Sequence, residues 1–305
     1  MTRLSVHHVT RYAYKVPVRF GDHRLMVRPR DSFDQRLLEF RMEIRPQPKA
    51  VRWLHDPFGN CIAVASFLAE ADELSFDMSM MVEHETTLAP DFALEHYAQF
   101  YPFTYGPDEI PDLSRSIERQ YLDPEHQVDE WVRRFLRNGR PTETGELLMT
   151  LTATIKESFT YVSRIERGTQ APLQTLMTRR GSCRDFAMLM IEAVRALGLA
   201  ARFVSGYLHV PSDSTEEFLG GGNTHAWCEV YLPGAGWVEF DPTNGIVGNK
   251  NLIRVAVARD PRQALPLWGT FYGDPNDALG MTVSVKTREI SQREGVGESR
   301  SASAL

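Results

Sequence analysis

A cysteine, a histidine and an aspartate are the side chains of this chain whose types and order suit nucleophilic chemistry. Cys183 follows Gly181 and Ser182 and precedes a long apolar run, and His225 and Asp241 come later, each beside a strand-like segment. A thiolate nucleophile, a base and a carboxylate that orients the base are the three parts that acyl transfer through a thioester needs. We therefore expect Cys183, His225 and Asp241 to form a catalytic triad.

The segment after Cys183 predicts a buried helix with the thiol at its first turn. Phe186, Met190 and Val194 recur at helical spacing, and Gly198 is typical of a left-handed helix end. Unpaired N–H groups and the positive end of the helix dipole favour a thiolate at such a position. An inert, buried cysteine is the alternative, because free cysteines are commonly core residues.

Two strands joined by a turn would bring His225 and Asp241 together. Strand-like residues occupy 225–232 and 237–241, and the Pro-Gly-Ala-Gly between them favours a turn. Direct opposition of the histidine and the aspartate needs a turn centred on Pro233, slightly earlier than these turn residues. We therefore expect a bulge or a loose strand end in this hairpin. Residues 211–223 form a long, glycine-rich loop that ends just before His225, so we expect it to border the site.

Several sequence blocks resemble the bacterial transglutaminase-like proteins, which lie within the papain-like superfamily of thiol enzymes. The blocks around the triad are GSCRDFA, ARFVSGYL, THAWCEVYLPGAGWVEFDPTNG and LIRVAVARDP. The blocks RLMVRPRD and HDPFGNCIAVASF resemble the separate N-terminal domain of these proteins. The resemblance implies a papain-like core and the Cys-His-Asp triad at the residues named above.

Three further residues are weaker site candidates. The backbone N–H of Cys183 is one expected donor to an oxyanion, and the resemblance implies Tyr161 as the region of a second donor, with Gln170 as another candidate. Core packing is the alternative role for Tyr161. Trp227 follows His225 by two residues, so both would share one strand face, where the indole would shield the ion pair from water. A core aromatic is the alternative for Trp227.

The composition limits which binding partners and which cellular compartment we expect. The formal net charge is −6 and no long basic run occurs, which argues against nucleic-acid binding. No run of about 18 apolar residues is present, so we expect no membrane span. The N-terminus lacks an apolar signal core, and three cysteines do not make a disulfide framework, so we expect a reduced, cytoplasmic protein. No zinc-type or EF-hand spacing occurs, so we expect no metal and no cofactor.

The sequence pattern predicts an α+β protein with several segments. Strand patterns with turn signals fill residues 1–88 and predict an antiparallel, sandwich-like β domain. Residues 89–144 have helical patterns and are interpreted as a connector. Residues 145–288 are expected to be the transglutaminase-like core, a helix packed on an antiparallel sheet, with 281–285 as a closing strand. Residues 289–305 are polar and small, which predicts a disordered tail.

The predicted function is cysteine-dependent acyl transfer on a peptide or small amide. Water as the second substrate gives a protease or amidase, and a primary amine gives a transglutaminase; hydrolysis is the preferred interpretation. A binding module without catalytic activity is the alternative from another functional class. The presence of all three triad residues, Cys183, His225 and Asp241, argues against it. The sequence leaves the oligomeric state open.

Overall fold

The structure is a computed structural model of the chain, and it describes residues 1–86, 93–164, 168–211, 214, 215 and 218–290. Its described part contains sixteen strands. In chain order they are β1 (Thr2–Leu25), β2 (Gln35–Arg45), β3 (Ala50–His55), β4 (Cys61–Ser66), β5 (Glu70–His84), β6 (Phe100–Tyr101), β7 (Thr142–Glu143), β8 (Thr160–Tyr161), β9 (Arg180–Gly181), β10 (Ala201–Leu208), β11 (Thr224–Leu232), β12 (Gly236–Asp241), β13 (Ile246–Val247), β14 (Leu252–Ala258), β15 (Leu267–Tyr272) and β16 (Ala278–Ile290).

Five α-helices lie between the two groups of long strands, within the residues that the structure describes. They are α1 (Ile110–Ile117), α2 (Gln127–Arg133), α3 (Thr144–Ser158), α4 (Pro172–Thr178) and α5 (Cys183–Ala196). The first two fall in the predicted connector, and α3 begins the predicted core. The predicted α+β class is confirmed.

The first sheet is antiparallel and is built around β1. This strand spans 24 residues and pairs with β4, β5, β15 and β16, with β2 and β3 at the sheet's outer positions. Leu4, Val6, Val18 and Phe20 point into the core, and polar residues alternate with them on the other face. This alternation is the pattern of a half-buried antiparallel sheet. The predicted β domain is therefore present, and its seven strands are joined in one sheet.

The C-terminal strands belong to this first sheet, which corrects the predicted core boundary. β16 pairs with β1 from Arg3 opposite Ile290 to Tyr14 opposite Ala278, and β15 pairs with the second half of β1. The interpretation of 281–285 as a closing strand of the core is wrong, and the core does not extend to residue 288. Of the predicted tail, residues 289 and 290 end β16, and residues 291–305 lie outside the described part of the chain.

The second sheet carries the site and packs on α5. Its strand order is β13-β12-β11-β10-β14, and every pairing is antiparallel. Helix α5 is buried along almost its whole length, including Glu192 and Arg195, which pair with each other at 3.0 Å. A helix that is apolar on most sides must be covered by other elements. Here β10 and β11 cover one side, and α2, α3 and α4 contribute to the others.

Side chains of the first domain cover the free edge of β14. The amide of Asn60 donates to the carbonyl of Val257 and accepts its N–H, at 2.7 and 2.9 Å. The amide of Gln35 makes the same pair of hydrogen bonds with the backbone of Arg254, at 2.8 and 2.9 Å. An uncovered strand edge leaves N–H and C=O groups that pair with other chains. The two amides satisfy these groups and attach the sheets to each other.

Candidate active site

Cys183 is the first residue of α5, where the periodicity of the sequence placed it. Ser182 is the N-cap, and Oδ2 of Asp185 accepts hydrogen bonds from both the backbone N–H and the hydroxyl of Ser182, each at 2.8 Å. The other oxygen of Asp185 accepts the backbone N–H of Gln170 at 2.7 Å. The Cys183 side chain is 7% exposed. The capping carboxylate thus fixes the first turn of α5 and, with it, the direction of the thiol.

The hairpin of β11 and β12 presents His225 and Asp241 on one face without a bulge. Its register pairs Cys228 with Phe240 and Leu232 with Gly236, and it is unbroken between them. Continuing that register by one residue places Asp241 opposite Trp227, two positions from His225 on the same face. Of the two predicted alternatives the bulge is wrong, whereas a loose strand end is present, because the ladder between β11 and β12 ends at Cys228 and Phe240, before His225. The turn is centred one residue later than direct opposition requires. His225 and Asp241 are therefore diagonal neighbours on the two strands, and this brings their side chains together.

His225 and Asp241 form a buried pair. Nε2 of His225 donates to Oδ2 of Asp241 at 2.8 Å, and both side chains are shielded from solvent. Oδ1 of Asp241 accepts the backbone N–H of Thr243 at 2.8 Å, and Oδ2 also accepts from Nδ2 of Asn244 at 2.8 Å. The carboxylate is held from three directions, so its orientation toward the imidazole is fixed.

The environment of the pair stabilises an imidazolium. Burial alone would lower the pKa of His225, but the charge of Asp241, its hydrogen bond and the nearby thiol of Cys183 outweigh burial and raise this pKa to about 10. Burial would raise the pKa of Asp241, and the His225 charge together with the hydrogen bonds to the carboxylate instead holds it below its usual value. The imidazole of His225 therefore carries a proton on both ring nitrogens at neutral pH.

The second ring nitrogen of His225 is the one available for chemistry. Nε2 is engaged by Asp241, and Nδ1 is buried without a hydrogen-bond partner among the described residues. Cys183 lies beside the ring, where its thiol acts on the pKa of His225. Hydrogen bonds of catalytic groups are commonly long before substrate binds. Nδ1 is thus the nitrogen that can exchange a proton with the thiol or with a substrate.

Tyr161 and Trp227 lie at the site, and Gln170 lies beside the helix cap. Burial, with the nearby thiol of Cys183 and Asp241, raises the pKa of Tyr161 to about 12 against an opposing effect of Arg184, so its hydroxyl remains a donor at neutral pH. The Trp227 ring is fully buried and stacks beside the imidazole of His225, with centroids 6.0 Å apart and planes at 28°.

Gln170 is brought to a different place. Its side-chain amide lies 3.4 Å from the carbonyl of Arg180 and 3.5 Å from Oδ2 of Asp185. These contacts give Gln170 a part in fixing the start of α5. The oxyanion role stays a prediction for both Tyr161 and Gln170, and the location of Tyr161 favours the tyrosine.

Sequence reasoning missed two residues that hold the triad in place. Asn244 binds the carboxylate of Asp241, and Asp185 caps the helix that begins at Cys183. Both signals were present: Asn244 follows Asp241 by three residues in a turn, and Ser182 followed three residues later by Asp185 is a variant of the capping box.

The described part of the chain shows no group of three or more His, Cys, Asp or Glu side chains arranged to hold a metal ion. None of the helices in that part is both long enough and apolar enough to cross a bilayer. The absence of a metal requirement and of a membrane partner remain predictions from the sequence.

Comparisons with known proteins match both parts of the chain. Residues 4–83 match the bacterial transglutaminase-like N-terminal region, and residues 129–242 match the transglutaminase-like superfamily. An uncharacterized protein of Mycobacterium leprae is 26% identical over 285 residues, which is 93% of this chain and 99% of that protein. A protein-glutamine gamma-glutamyltransferase of Pseudomonas aeruginosa is 37% identical over 68 residues, which is 22% of this chain and 10% of that protein.

A solved structure has the same fold over nearly the whole chain. The crystal structure of a candidate cysteine protease from Cytophaga hutchinsonii superposes with a TM-score of 0.69 at 18% identity, covering 95% of this chain and 91% of that one. The two matched regions include the β domain and the segment that carries Cys183, His225 and Asp241. The chain belongs to the transglutaminase-like superfamily and carries the bacterial transglutaminase-like N-terminal region.

Proposed function

We propose that the protein is a cysteine-dependent hydrolase of peptide or amide bonds that acts through a thioester on Cys183. The observation that carries this proposal is the buried His225–Asp241 pair at 2.8 Å, with Nδ1 free and the thiol of Cys183 beside it. A structural histidine gains nothing from an unpartnered, buried nitrogen, since such a group is costly. A general base and acid needs a ring nitrogen that can face the nucleophile and the substrate.

Acylation uses the thiolate and the imidazolium. The sulfur of Cys183 attacks the amide carbonyl carbon, and the developing oxyanion receives hydrogen bonds from the backbone N–H of Cys183 and the hydroxyl of Tyr161. Nδ1–H of His225 then protonates the leaving nitrogen, the C–N bond breaks, and a thioester and a neutral amine result. Asp241 stays ionised and holds the ring through Nε2.

In deacylation the imidazole of His225 accepts a proton instead of donating one. Water or an amine attacks the thioester carbon while Nδ1 of His225 takes its proton, and the C–S bond breaks to restore the thiolate and the imidazolium. A thioester that is accessible to solvent is hydrolysed unless another nucleophile competes with water, so hydrolysis is the default outcome. Transamidation requires a bound primary amine that competes with water. The match to a protein-glutamine gamma-glutamyltransferase of Pseudomonas aeruginosa supports transamidation as a second candidate.

An activated ester tests the nucleophile before any natural substrate is known. Intact mass after brief incubation with p-nitrophenyl acetate should show one acetyl group on the wild type and none on Cys183→Ala, and the adduct should decay with time. His225→Gln should acylate slowly. Equal acetylation of the wild type and Cys183→Ala would contradict the proposal, and a stable, unreactive thiol would support the binding module instead.

The second step is tested with a protein substrate and an amine together. Casein and a labelled cadaverine are incubated with wild type and with Cys183→Ala, and the products are separated by mass spectrometry. Hydrolysis gives new peptide termini or deamidated glutamines, whereas transamidation attaches the label to glutamine. Label attached at a rate above hydrolysis would overturn the hydrolase proposal in favour of the second candidate.

A further inference from the structure

The glycine-rich segment 218–223 lies against the catalytic histidine and is anchored on both sides of Gly220. Asn244 accepts the backbone N–H of Leu219 at 2.8 Å and donates to its carbonyl at 3.2 Å. The carbonyl of Gly222 accepts the backbone N–H of Val285 in β16 at 2.8 Å. The first anchor comes from the residue that binds Asp241, and the second comes from the sheet of the N-terminal domain.

Between these anchors the backbone approaches the imidazole more closely than a side chain allows. A Cβ atom at Gly220 would lie 2.9 Å from Nδ1 and 3.3 Å from Cε1 of His225, and 3.4 Å from the hydroxyl of Tyr161. The φ angle of Gly220 is +84°, in the left-handed region that favours glycine. Gly220 is therefore the wall of the site on the Nδ1 side, and it helps to bury that nitrogen.

From this placement we infer that Gly220 is a positioning residue, which holds the His225 ring against Cys183 and keeps water from the ion pair. This inference rests on the proposed function, because only a thiolate–imidazolium pair gains from it. Water in contact with Nδ1 would solvate the imidazolium and weaken its attraction for the thiolate. A methyl group at Gly220 would push either the loop or the ring outward. In both cases Nδ1 moves relative to the sulfur, and a displacement of about 1 Å is enough to cost large factors in rate.

Through Gly222 the same segment gives the N-terminal domain a part in the site. Val285 lies in β16, whose other edge pairs with β1, and Thr287 of that strand lies 3.1 Å from Nδ1 of His209. The β domain thus holds the outer side of the wall while Asn244 holds the inner side. The titratable or charged groups that act on the imidazole are Asp241 and Cys183, and those that act on the neighbouring Tyr161 are Cys183, Arg184 and Asp241.

The chain offers a matched control for a test at Gly220. Gly139 has a φ angle of +68°, so alanine there also has backbone strain, yet a Cβ atom at Gly139 would have nothing within 4 Å, and Gly139 is exposed in the connection between α2 and β7. The measurement is the rate of iodoacetamide alkylation of Cys183 from pH 5 to pH 10, in the wild type, Gly220→Ala and Gly139→Ala. The rate in Gly220→Ala should fall about tenfold at neutral pH and recover at alkaline pH, where free thiols ionise without a partner. Gly139→Ala should follow the wild type.

Identical profiles for the two variants would overturn the inference, and so would a loss in Gly220→Ala that is uniform at all pH values, since that is steric hindrance of the reagent. If Gly220→Ala does not fold, nitrogen-15 NMR of wild-type histidine decides the point. A protonated Nδ1 of His225 that exchanges slowly with water at pH 7 supports the wall, and rapid exchange refutes it. Failure of the proposed function has a different signature, because the wild-type thiol would then react no faster than free cysteine.

Discussion

Nδ2 of Asn244 and Nε2 of His225 donate to the same oxygen of Asp241, each at 2.8 Å. The amide and the imidazole are themselves only 3.5 Å apart. A carboxylate oxygen that accepts two donors in this way is stabilised in its ionised form. The anion that supports the imidazolium is therefore maintained by a residue outside the triad.

Removing the charge of Asp241 should weaken the thiolate–imidazolium pair. In Asp241→Asn the ring keeps its space but loses its anionic partner at 2.8 Å. Alkylation of Cys183 at pH 7 should fall about tenfold, because an opposite charge at this distance shifts a pKa by about one unit or more. Superimposable pH profiles would remove Asp241 from the site. Asp260→Asn, which changes a buried capping carboxylate elsewhere, is the control.

The same variant should change the pH dependence of folding. The pKa of His225 is raised from 6.5 to about 10 in the folded protein, so its contribution to the free energy of unfolding is fully present below pH 6.5 and is lost as the pH rises toward 10. In Asp241→Asn this loss should occur at lower pH. Urea unfolding at pH 6, 8 and 10 measures this change. If the free energy of unfolding falls over the same alkaline pH range in the wild type and in Asp241→Asn, the assignment is contradicted.

Asn244→Ala should affect both reactivity and the loop. The substitution removes the donor to Asp241 and both hydrogen bonds to Leu219. We expect a loss of alkylation rate at neutral pH and a loss of stability of about 1–3 kcal/mol, because buried groups are left unpaired. Asn276→Ala is the control, since Asn276 also donates to a carboxylate but is exposed. Equal effects of the two substitutions would contradict a role for Asn244.

Cys183 should be the thiol that iodoacetamide modifies first. Burial raises the pKa of Cys228 well above its usual value, and its thiol donates to the carbonyl of Phe240. Cys61 is partly exposed and lies 3.7 Å from Nε2 of His55, on an adjacent strand. Peptide mapping after brief treatment should find the label on Cys183, and Cys61→Ser should not change its rate. Faster labelling of Cys61 would refute the prediction.

Arg254 should matter more at alkaline pH than at acidic pH. Its guanidinium lies 2.6 Å from Glu239, 3.0 Å from Asp34 and 3.6 Å from Glu229. Burial raises the pKa of Glu239 from 4.5 to about 7, with Arg254 acting against this rise and Glu229 adding to it. Ionisation of Glu239 therefore costs stability as the pH rises through 7. Without the arginine this cost grows.

The test compares urea unfolding of the wild type and Arg254→Gln at two pH values. The variant should lose about 3–5 kcal/mol at pH 8, since breaking a buried ion pair leaves unpaired charges, and less at pH 5, where Glu239 is protonated. Adding Glu239→Gln should recover part of the loss at pH 8. A loss that is equal at both pH values would show that the carboxylates do not depend on Arg254.

The amides on the edge of β14 should each contribute measurable stability. Gln35→Ala and Asn60→Ala each remove three hydrogen bonds, two of them to β14, and leave an N–H and a C=O of that strand without partners. Each should cost about 1–3 kcal/mol in the free energy of unfolding. The exposed Gln47 provides the control. Thermal midpoints no lower than that of Gln47→Ala would mean that water replaces these amides.

The local elements of the site were predictable because their signals are local. Helical periodicity after Cys183 correctly predicts this residue at the start of α5, and the turn after Leu232 correctly predicts the hairpin that carries His225 and Asp241. The register was missed because the sequence offered direct opposition as the simplest geometry, whereas diagonal neighbours on one strand face are also within contact. Turn residues alone do not distinguish these two arrangements.

The partners of the last strands were not predictable from local pattern. Alternation of side chains in β16 indicates a strand but carries no information about which sheet it joins. Ser5 in β1 and Arg288 in β16, joined by a hydrogen bond, are 283 residues apart. The edge contacts of Gln35 and Asn60 were missed for the same reason, because a polar residue in a turn region has the same appearance whether or not another sheet lies above it.

The pairing of β1 with β16 makes the chain between β5 and β15, which includes the second sheet, an insertion within the first sheet, and this has a consequence for assembly. The entropy of closing so long a loop must be lost before the pairing is gained, so this part of the sheet should complete late in folding. Until then, one long edge of β1 lacks its partner. That edge is the segment at which we expect a nascent chain to pair wrongly with another copy of itself.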